Sequence, residues 1–184
     1  MQTDYIIVGL GLAGLAFTRE LERNNKTFIV FEDNSQNSSV VAGGVYNPVI
    51  LKRFTPVWEA LNQLDIAIPF YKELENKFDR KYIQPIDILR IFKSIEEQNN
   101  WFVACDNSKL SKYMNPKVFN EMHEGIISDY GFGKINNTGW VDTKLLLEDY
   151  KNYLTKNNSL VNESFEYLEL TISEENVIYK KFSA

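Results

Sequence analysis

The sequence predicts an α/β fold, and three features near its start carry that prediction. The apolar run Tyr5-Ile6-Ile7-Val8 reads as a fully buried strand. The turn Gly9-Leu10-Gly11-Leu12-Ala13-Gly14 follows and opens a segment in which Ala13, Phe17 and Leu21 recur on one helical face. A second apolar run, Phe28-Ile29-Val30-Phe31, ends in Glu32, 18 positions after Gly14. Strand, glycine turn, helix and strand in that order make a Rossmann-like βαβ unit with the G-x-G-x-x-G pattern.

Each position of that turn has a physical job. Gly9 permits the tight turn, Gly11 lets the backbone approach a pyrophosphate closely, and Gly14 lets the helix pack against the strand. Leu12 and Ala13 stand at the helix N-terminus, where unbonded N–H groups and the positive dipole end favour phosphate. Glu32, with Asp33 beside it, is placed to accept hydrogen bonds from a ribose hydroxyl pair, and an acid there favours FAD or NAD over NADP. The competing reading is a glycine-rich turn kept only for packing; the strand–helix context and the timely acid argue against it.

The whole chain narrows the possibilities further. Its 184 residues bury one good core, and 44% hydrophobic with 24% charged residues is ordinary globular composition. The net charge of −5 comes with Lys and Arg scattered singly or in pairs such as Lys52-Arg53 and Lys180-Lys181. No basic stripe exists to neutralise a run of phosphates, so nucleic acid is not an expected partner. A strand begins within a few residues of Met1 and no apolar stretch spans a bilayer, so a cytoplasmic location without a membrane-spanning segment is expected. A single cysteine, Cys105, excludes an intrachain disulfide and a cysteine-rich metal site; behind Trp101-Phe102-Val103-Ala104 it reads as a small buried residue. His123, the only histidine, sits in the polar stretch Asn120–Gly125, which reads as a surface loop rather than the seat of a catalytic base. If chemistry happens here, a cofactor supplies most of it.

Further elements follow in order. After the polar loop 33–39 comes Val40-Val41-Ala42-Gly43-Gly44-Val45, whose paired glycines allow another group to press on bare backbone. Thr55-Pro56 has the form of a helix start, with Trp58, Leu61, Leu64 and Ile68 on one face and Pro69 as a break or kink. Ile86 to Phe92 predicts a strand, and Ser94-Ile95-Glu96-Glu97 a capping box opening a helix toward Cys105. Gly131 to Gly139 predicts strands and a turn, and Asp142 caps a helix with Leu146, Tyr150, Tyr153 and Leu154 as its apolar stripe. Phe165–Leu170 and Val177–Tyr179 read as a β-hairpin, with no obvious further parallel strand.

The opening Asp4 to Gly14, the acid Glu32 and the small-residue segment Ser38-Ser39-Val40-Val41-Ala42-Gly43-Gly44 together resemble the FAD-dependent oxidoreductases of the D-amino-acid oxidase superfamily, which includes glycine and sarcosine oxidases. In that family the segment after the second strand passes over the FAD pyrophosphate and beside the flavin ring. The resemblance thus implies that Ser38, Ser39, Ala42, Gly43 and Gly44 join Gly9, Gly11, Leu12, Ala13, Gly14, Glu32 and Asp33 in holding FAD. It implies an FAD-binding domain over 1–50, an inserted α+β substrate or cap domain over 51–138, and a return to the FAD domain over 139–184. Family members are longer, so the chain is expected to be an N-terminal portion, incomplete at its C-terminus.

The reaction so implied is oxidation of a small amine or amino acid by hydride transfer to flavin. No catalytic residue carries over; Tyr46, Arg53 and Arg90 are polar candidates, with a surface salt bridge as the plainer role for each arginine. The alternatives are an NAD-dependent dehydrogenase, or a catalytically incompetent piece that keeps only the dinucleotide turn. The substrate, the electron acceptor and the oligomeric state leave no mark in the sequence.

Overall fold

A computed structural model describes residues 1–35, 37–120 and 126–184. His123 and its immediate neighbours lie outside the described residues. The chain begins β1 (Tyr5–Val8), α1 (Leu12–Arg23), β2 (Phe28–Phe31) and α2 (Ser38–Val41). Then come β3 (Val45–Tyr46), β4 (Val49–Ile50), β5 (Thr55–Pro56), α3 (Ala60–Phe78), β6 (Ile83–Pro85), β7 (Ile88–Ile91), α4 (Ile95–Cys105), β8 (Phe132–Ile135) and β9 (Gly139–Val141). The last elements are α5 (Thr143–Lys156), β10 (Leu160–Val161), β11 (Leu170–Ile172), β12 (Val177–Tyr179) and β13 (Phe182–Ser183).

These elements fall into two compact units, Met1–Ala42 with Asp142–Ala184, and Gly43–Val141. The joints lie at Ala42/Gly43 and Val141/Asp142 rather than near 50 and 138. The reason is pairing: β3 lies antiparallel to β9, Val45 opposite Trp140, which keeps both strands inside the second unit.

In the first unit β1, β2 and β10 form a parallel sheet in that order. Tyr5 to Val8 match Phe28 to Phe31 one to one, and all four β2 residues are buried. β10 supplies the third parallel strand that the sequence does not announce: Leu160 opposes Val30, and the flanking bonds Val30 N–H to Ser159 O (2.9 Å) and Glu32 N–H to Val161 O (3.1 Å) extend the ladder. Two residues between Ser159 and Asn162 carry no periodic signal; α5 positions them by returning the chain across the sheet. β1 is an edge strand of this sheet, so Tyr5 and Val8 are exposed rather than fully buried.

The tail forms the expected hairpin, β11 against β12 across the turn 173–176, but its first strand starts later than expected and a third strand is added. Phe165–Glu169 is not strand but contains a single 3-10 turn over Tyr167–Glu169; β11 begins at Leu170, and β11, β12 and β13 form an antiparallel meander. Aromatic packing explains the change. Phe165 stacks on Tyr179 (centroids 4.0 Å apart), Tyr179 meets Phe31 edge-on at 4.9 Å, and the Tyr179 hydroxyl accepts the Glu166 N–H at 3.0 Å. Offset and edge-on rings of this kind add to the burial of their faces. α1 and α5 are joined by a buried hydrogen bond between the Thr18 and Tyr150 hydroxyls at 3.0 Å. Asp142 caps α5, its Oδ1 accepting the Leu145 N–H at 2.9 Å, and Leu146, Tyr150 and Leu154 are buried along the predicted stripe.

In the second unit, β3, β9 and β6 form one sheet, β7 pairs with β8, and β4 pairs with β5. Thr55-Pro56 is therefore strand and not helix start: Pro56 opposes Val49 and Thr55 opposes Ile50. α3 begins four residues after Pro56, behind Glu59 with a left-handed φ of 50°. Trp58 lies outside it and is 79% exposed. Pro69 sits within a continuous helix, where its missing N–H costs a hydrogen bond without ending the element. Half of the capping box is present: Ser94 Oγ accepts the Glu97 N–H at 3.2 Å, while the Glu97 carboxylate takes the Lys93 N–H at 2.7 Å and Arg90. The core gathers on Trp101, whose indole N–H donates to Asn115 O at 2.9 Å and whose ring meets Phe92 edge-on. Cys105 joins that core, and burial pushes its thiol up to about 11.

Candidate dinucleotide-binding site

The turn after β1 is built by its glycines. Gly9 has φ of +91°, in the left-handed region, while its N–H still donates to Phe31 O at 2.8 Å. Gly11 caps α1 with an extended backbone, and its carbonyl accepts the first helical bond, from Leu15 N–H at 2.9 Å. The N–H groups before Leu15 belong to the open end of the helix. That of Leu12 donates to Ser39 Oγ at 3.2 Å. A Cβ on Gly14 would stand 2.3 Å from Gly9 O, so only glycine lets α1 lie so close to the turn. A Cβ on Gly11 would meet nothing but the Ser39 side chain, at 3.1 Å for its Oγ. The bare backbone there is a cradle that a side chain would fill.

Glu32 locks this turn to the second strand. Its Oε2 accepts the Leu10 N–H and its Oε1 the Asn34 N–H, each at 2.6 Å. Two hollows open on either side of it. One, of about 340 Å³, is bounded by Gly11, Glu32, Asn34, Ser39, Lys144 and Lys151. The other, of about 230 Å³, is bounded by Gly9, Glu32, Asp33, Glu163 and Phe165 among others. Asp33 is exposed, and hydrogen bonds from the Ser35 side chain and N–H hold its carboxyl below the usual value.

The first unit thus brings together Gly9, Gly11, Leu12, Gly14, Glu32, Asp33 and Ser39, with Ala13 exposed in the first turn of α1. Ser38 is exposed on α2, and Ala42 follows as its C-cap. Gly43 and Gly44 fall in the second unit. Gly44 has φ of +66°, and a Cβ on it would stand 2.1 Å from Val141 O, so the β3–β9 contact alone requires it. Sequence reasoning missed Asn34, Lys144 and Lys151. Asn34 lay two positions from a chosen acid, but the lysines reach the hollow from a helix more than a hundred residues away and carry no local signal.

The three polar candidates lie in the second unit. Arg90 is committed to Glu97, its Nε donating to Oε1 at 2.9 Å. The Tyr46 hydroxyl lies against Gly139, where a Cβ would be 2.1 Å away, and burial raises its phenol. Arg53 N–H donates to Ile50 O at 3.1 Å, closing the β4–β5 turn.

No known family's sequence profile matches the chain. Solved structures do match its fold. Glycine oxidase from Geobacillus kaustophilus superposes over 96% of this chain and 50% of its own, with a TM-score of 0.71 and 16% identity. L-amino acid deaminase from Proteus vulgaris covers 96% of this chain and 43% of its own, with a TM-score of 0.68 and 13% identity. L-alpha-glycerophosphate oxidase from Mycoplasma pneumoniae, a structure with FAD bound, covers 100% of this chain and 52% of its own, with a TM-score of 0.59 and 16% identity. The fold is the mixed α/β fold of these amino-acid and glycerophosphate oxidoreductases. The chain spans about half the length of each of them.

Proposed function

We propose that this chain is the cofactor-binding portion of an FAD-dependent oxidoreductase that acts on an amine or amino acid. The observation that carries the reading is the turn itself: an open helix end over the bare Gly11 backbone, pinned to the second strand by Glu32. In this reading Met1–Ala42 with Asp142–Ala184 holds the cofactor and Gly43–Val141 is the substrate unit. Gly11, Leu12 and Ala13 take the pyrophosphate, Ser38 and Ser39 flank it, and Glu32 with Asp33 takes the adenosine ribose. Ala42, Gly43 and Gly44 complete the segment expected over the cofactor. FAD, when bound, supplies the two-electron acceptor for the hydride that leaves the carbon beside the amine nitrogen. The share of this chain's residues is to bind, to orient and to exclude water.

Calorimetric titration of the chain with FAD, ADP and NAD tests the proposal. FAD and ADP are expected to bind with NAD well behind, and Gly11→Val to abolish binding because its side chain fills the cradle. Equal affinity of Gly11→Val for FAD overturns the assignment of the turn, and preference for NAD overturns the flavin reading.

A further inference from the structure

The parallel sheet of the first unit ends differently on its two sides. β10 forms one edge with only two residues, Leu160 and Val161, set between the polar Ser159 and Asn162. A short edge of that kind is one way soluble proteins keep a sheet from growing. β1 forms the other edge without such protection, since Tyr5-Ile6-Ile7-Val8 contains no charge and no proline. Among the described residues β2 is its one strand neighbour.

The hydrogen bonds show which groups are spare. Tyr5 N–H donates to Thr27 O at 3.1 Å and Gly9 N–H to Phe31 O at 2.8 Å, so Tyr5, Ile7 and Gly9 address β2. Alternation turns the N–H and C=O of Ile6 and Val8 the other way, along the free edge. The side chains beside that edge are apolar and open. Val8 is 46% exposed on one face of the sheet; on the other, Tyr5 at 38% meets Phe17 of α1 at 48%, their rings edge-on with centroids 5.7 Å apart. Ala13 and Ala16, also exposed, continue this bare strip along α1. A further strand would cover the backbone groups and the apolar side chains at once.

The matched structures indicate what that cover is. Half of the Geobacillus kaustophilus glycine oxidase chain has no counterpart in this one. We propose that the outer edge of β1 docks a strand from a polypeptide equivalent to that unmatched half. The incoming strand runs parallel to β1, as both existing pairs of this sheet do, and takes up the free bonds of Ile6 and Val8. It is apolar on both faces, one against the Tyr5 and Phe17 rings and the other beside Val8. This docking does not depend on the dinucleotide turn, and its test stands whether or not the chain binds FAD.

The probes are overlapping synthetic peptides tiled across the unmatched half of the Geobacillus kaustophilus glycine oxidase, each added to the isotope-labelled full chain and followed by amide exchange in NMR. Peptides from one contiguous segment are expected to slow exchange at the Ile6 and Val8 N–H groups about tenfold or more. Ile7 N–H, already facing β2, is expected to keep its protection and so reports that the chain is folded. Val8→Lys, which gives the strand the charge that natural edges carry, is expected to abolish the effect, and Phe17→Ser to weaken peptide binding about threefold or more. The proposal is overturned if no peptide protects Ile6 and Val8 at millimolar concentration, or if peptides from the matched half protect them equally. Protection of both groups in the chain alone that grows with its concentration also overturns it, because a second copy then occupies the edge.

Discussion

Replacing Gly14 with alanine sets two opposed effects against each other, and the structure decides which wins. Alanine is the better helix former by about 1 kcal/mol in a helix interior, so propensity alone predicts a more stable protein. The new Cβ, however, would stand 2.3 Å from Gly9 O, well inside the 3.0 Å floor of real Cβ contacts, and a tight 3.2 Å from Gly9 C. The obstacle is backbone, and Gly9 is itself held at φ +91° with its N–H bonded to Phe31 O. Neither side yields without moving α1 off the turn. Overpacking of this kind costs about 3 kcal/mol at the upper end of its usual range. The net loss is about 2 kcal/mol, or a fall of roughly 4–8 °C in melting temperature for a chain of this size. Gly11→Ala is the matched control, because its Cβ meets a rotatable Ser39 hydroxyl at 3.1 Å; it is expected to melt within about 2 °C of the parent. Thermal unfolding by circular dichroism reads both variants. A Gly14→Ala protein that melts at or above the parent refutes the argument that close packing reserves this position for glycine.

Three other outcomes follow from specific contacts. Glu32→Ala leaves the Leu10 and Asn34 N–H groups without their acceptor, so it should lower the melting temperature and, if the turn holds FAD, weaken binding by roughly one to two orders of magnitude; unchanged values in both reduce Glu32 to a strand-end charge. Glu75 is buried, which alone would raise its carboxyl, but the Ile83 and Tyr82 N–H groups and Lys81 outweigh burial and hold it below the usual value. Glu75→Ala strands two backbone donors and should cost about 2–4 kcal/mol in urea unfolding; a cost under about 0.5 kcal/mol would contradict this account. Burial raises both the Cys105 thiol and the Tyr150 phenol, so each stays neutral in the folded chain while its unfolded counterpart ionises near its ordinary value of 9.0 or 10.0. Their contribution is complete below those values and is lost as the pH climbs through the folded ones, so the urea midpoint should fall between pH about 8 and about 10.5. Tyr150→Phe, having lost the Thr18 bond, should start lower and fall less steeply.

What the sequence made legible was what depends on neighbours along the chain. The βαβ opening, the Ser94 and Asp142 caps and the α5 stripe rest on spacing within a few residues, and each is found where the spacing puts it. What escaped depends on partners in other elements. β10 is two residues long and exists because α5 delivers Leu160 to Val30. Thr55-Pro56 has every local mark of a helix start, yet the nearby Val49-Ile50 claims it as a strand. Phe165 alternates like a strand residue but is held by the ring of Tyr179. The same division runs through the candidate site: the turn and Glu32 could be read locally, whereas Ser39 as the partner of Leu12, and the two α5 lysines, could not.

The antiparallel pairing of β3 with β9 also bears on how this architecture can change. Val45 faces Trp140, Tyr46 faces Gly139, and Val141 N–H donates to Gly44 O at 2.9 Å, so the entry and exit of the Gly43–Val141 segment are fastened side by side within that segment. A stretch whose two ends already meet can be lengthened, shortened or exchanged without respacing the residues that flank it. The glycine turn and the strands around it then keep their spacing whatever the length or sequence of the Gly43–Val141 segment.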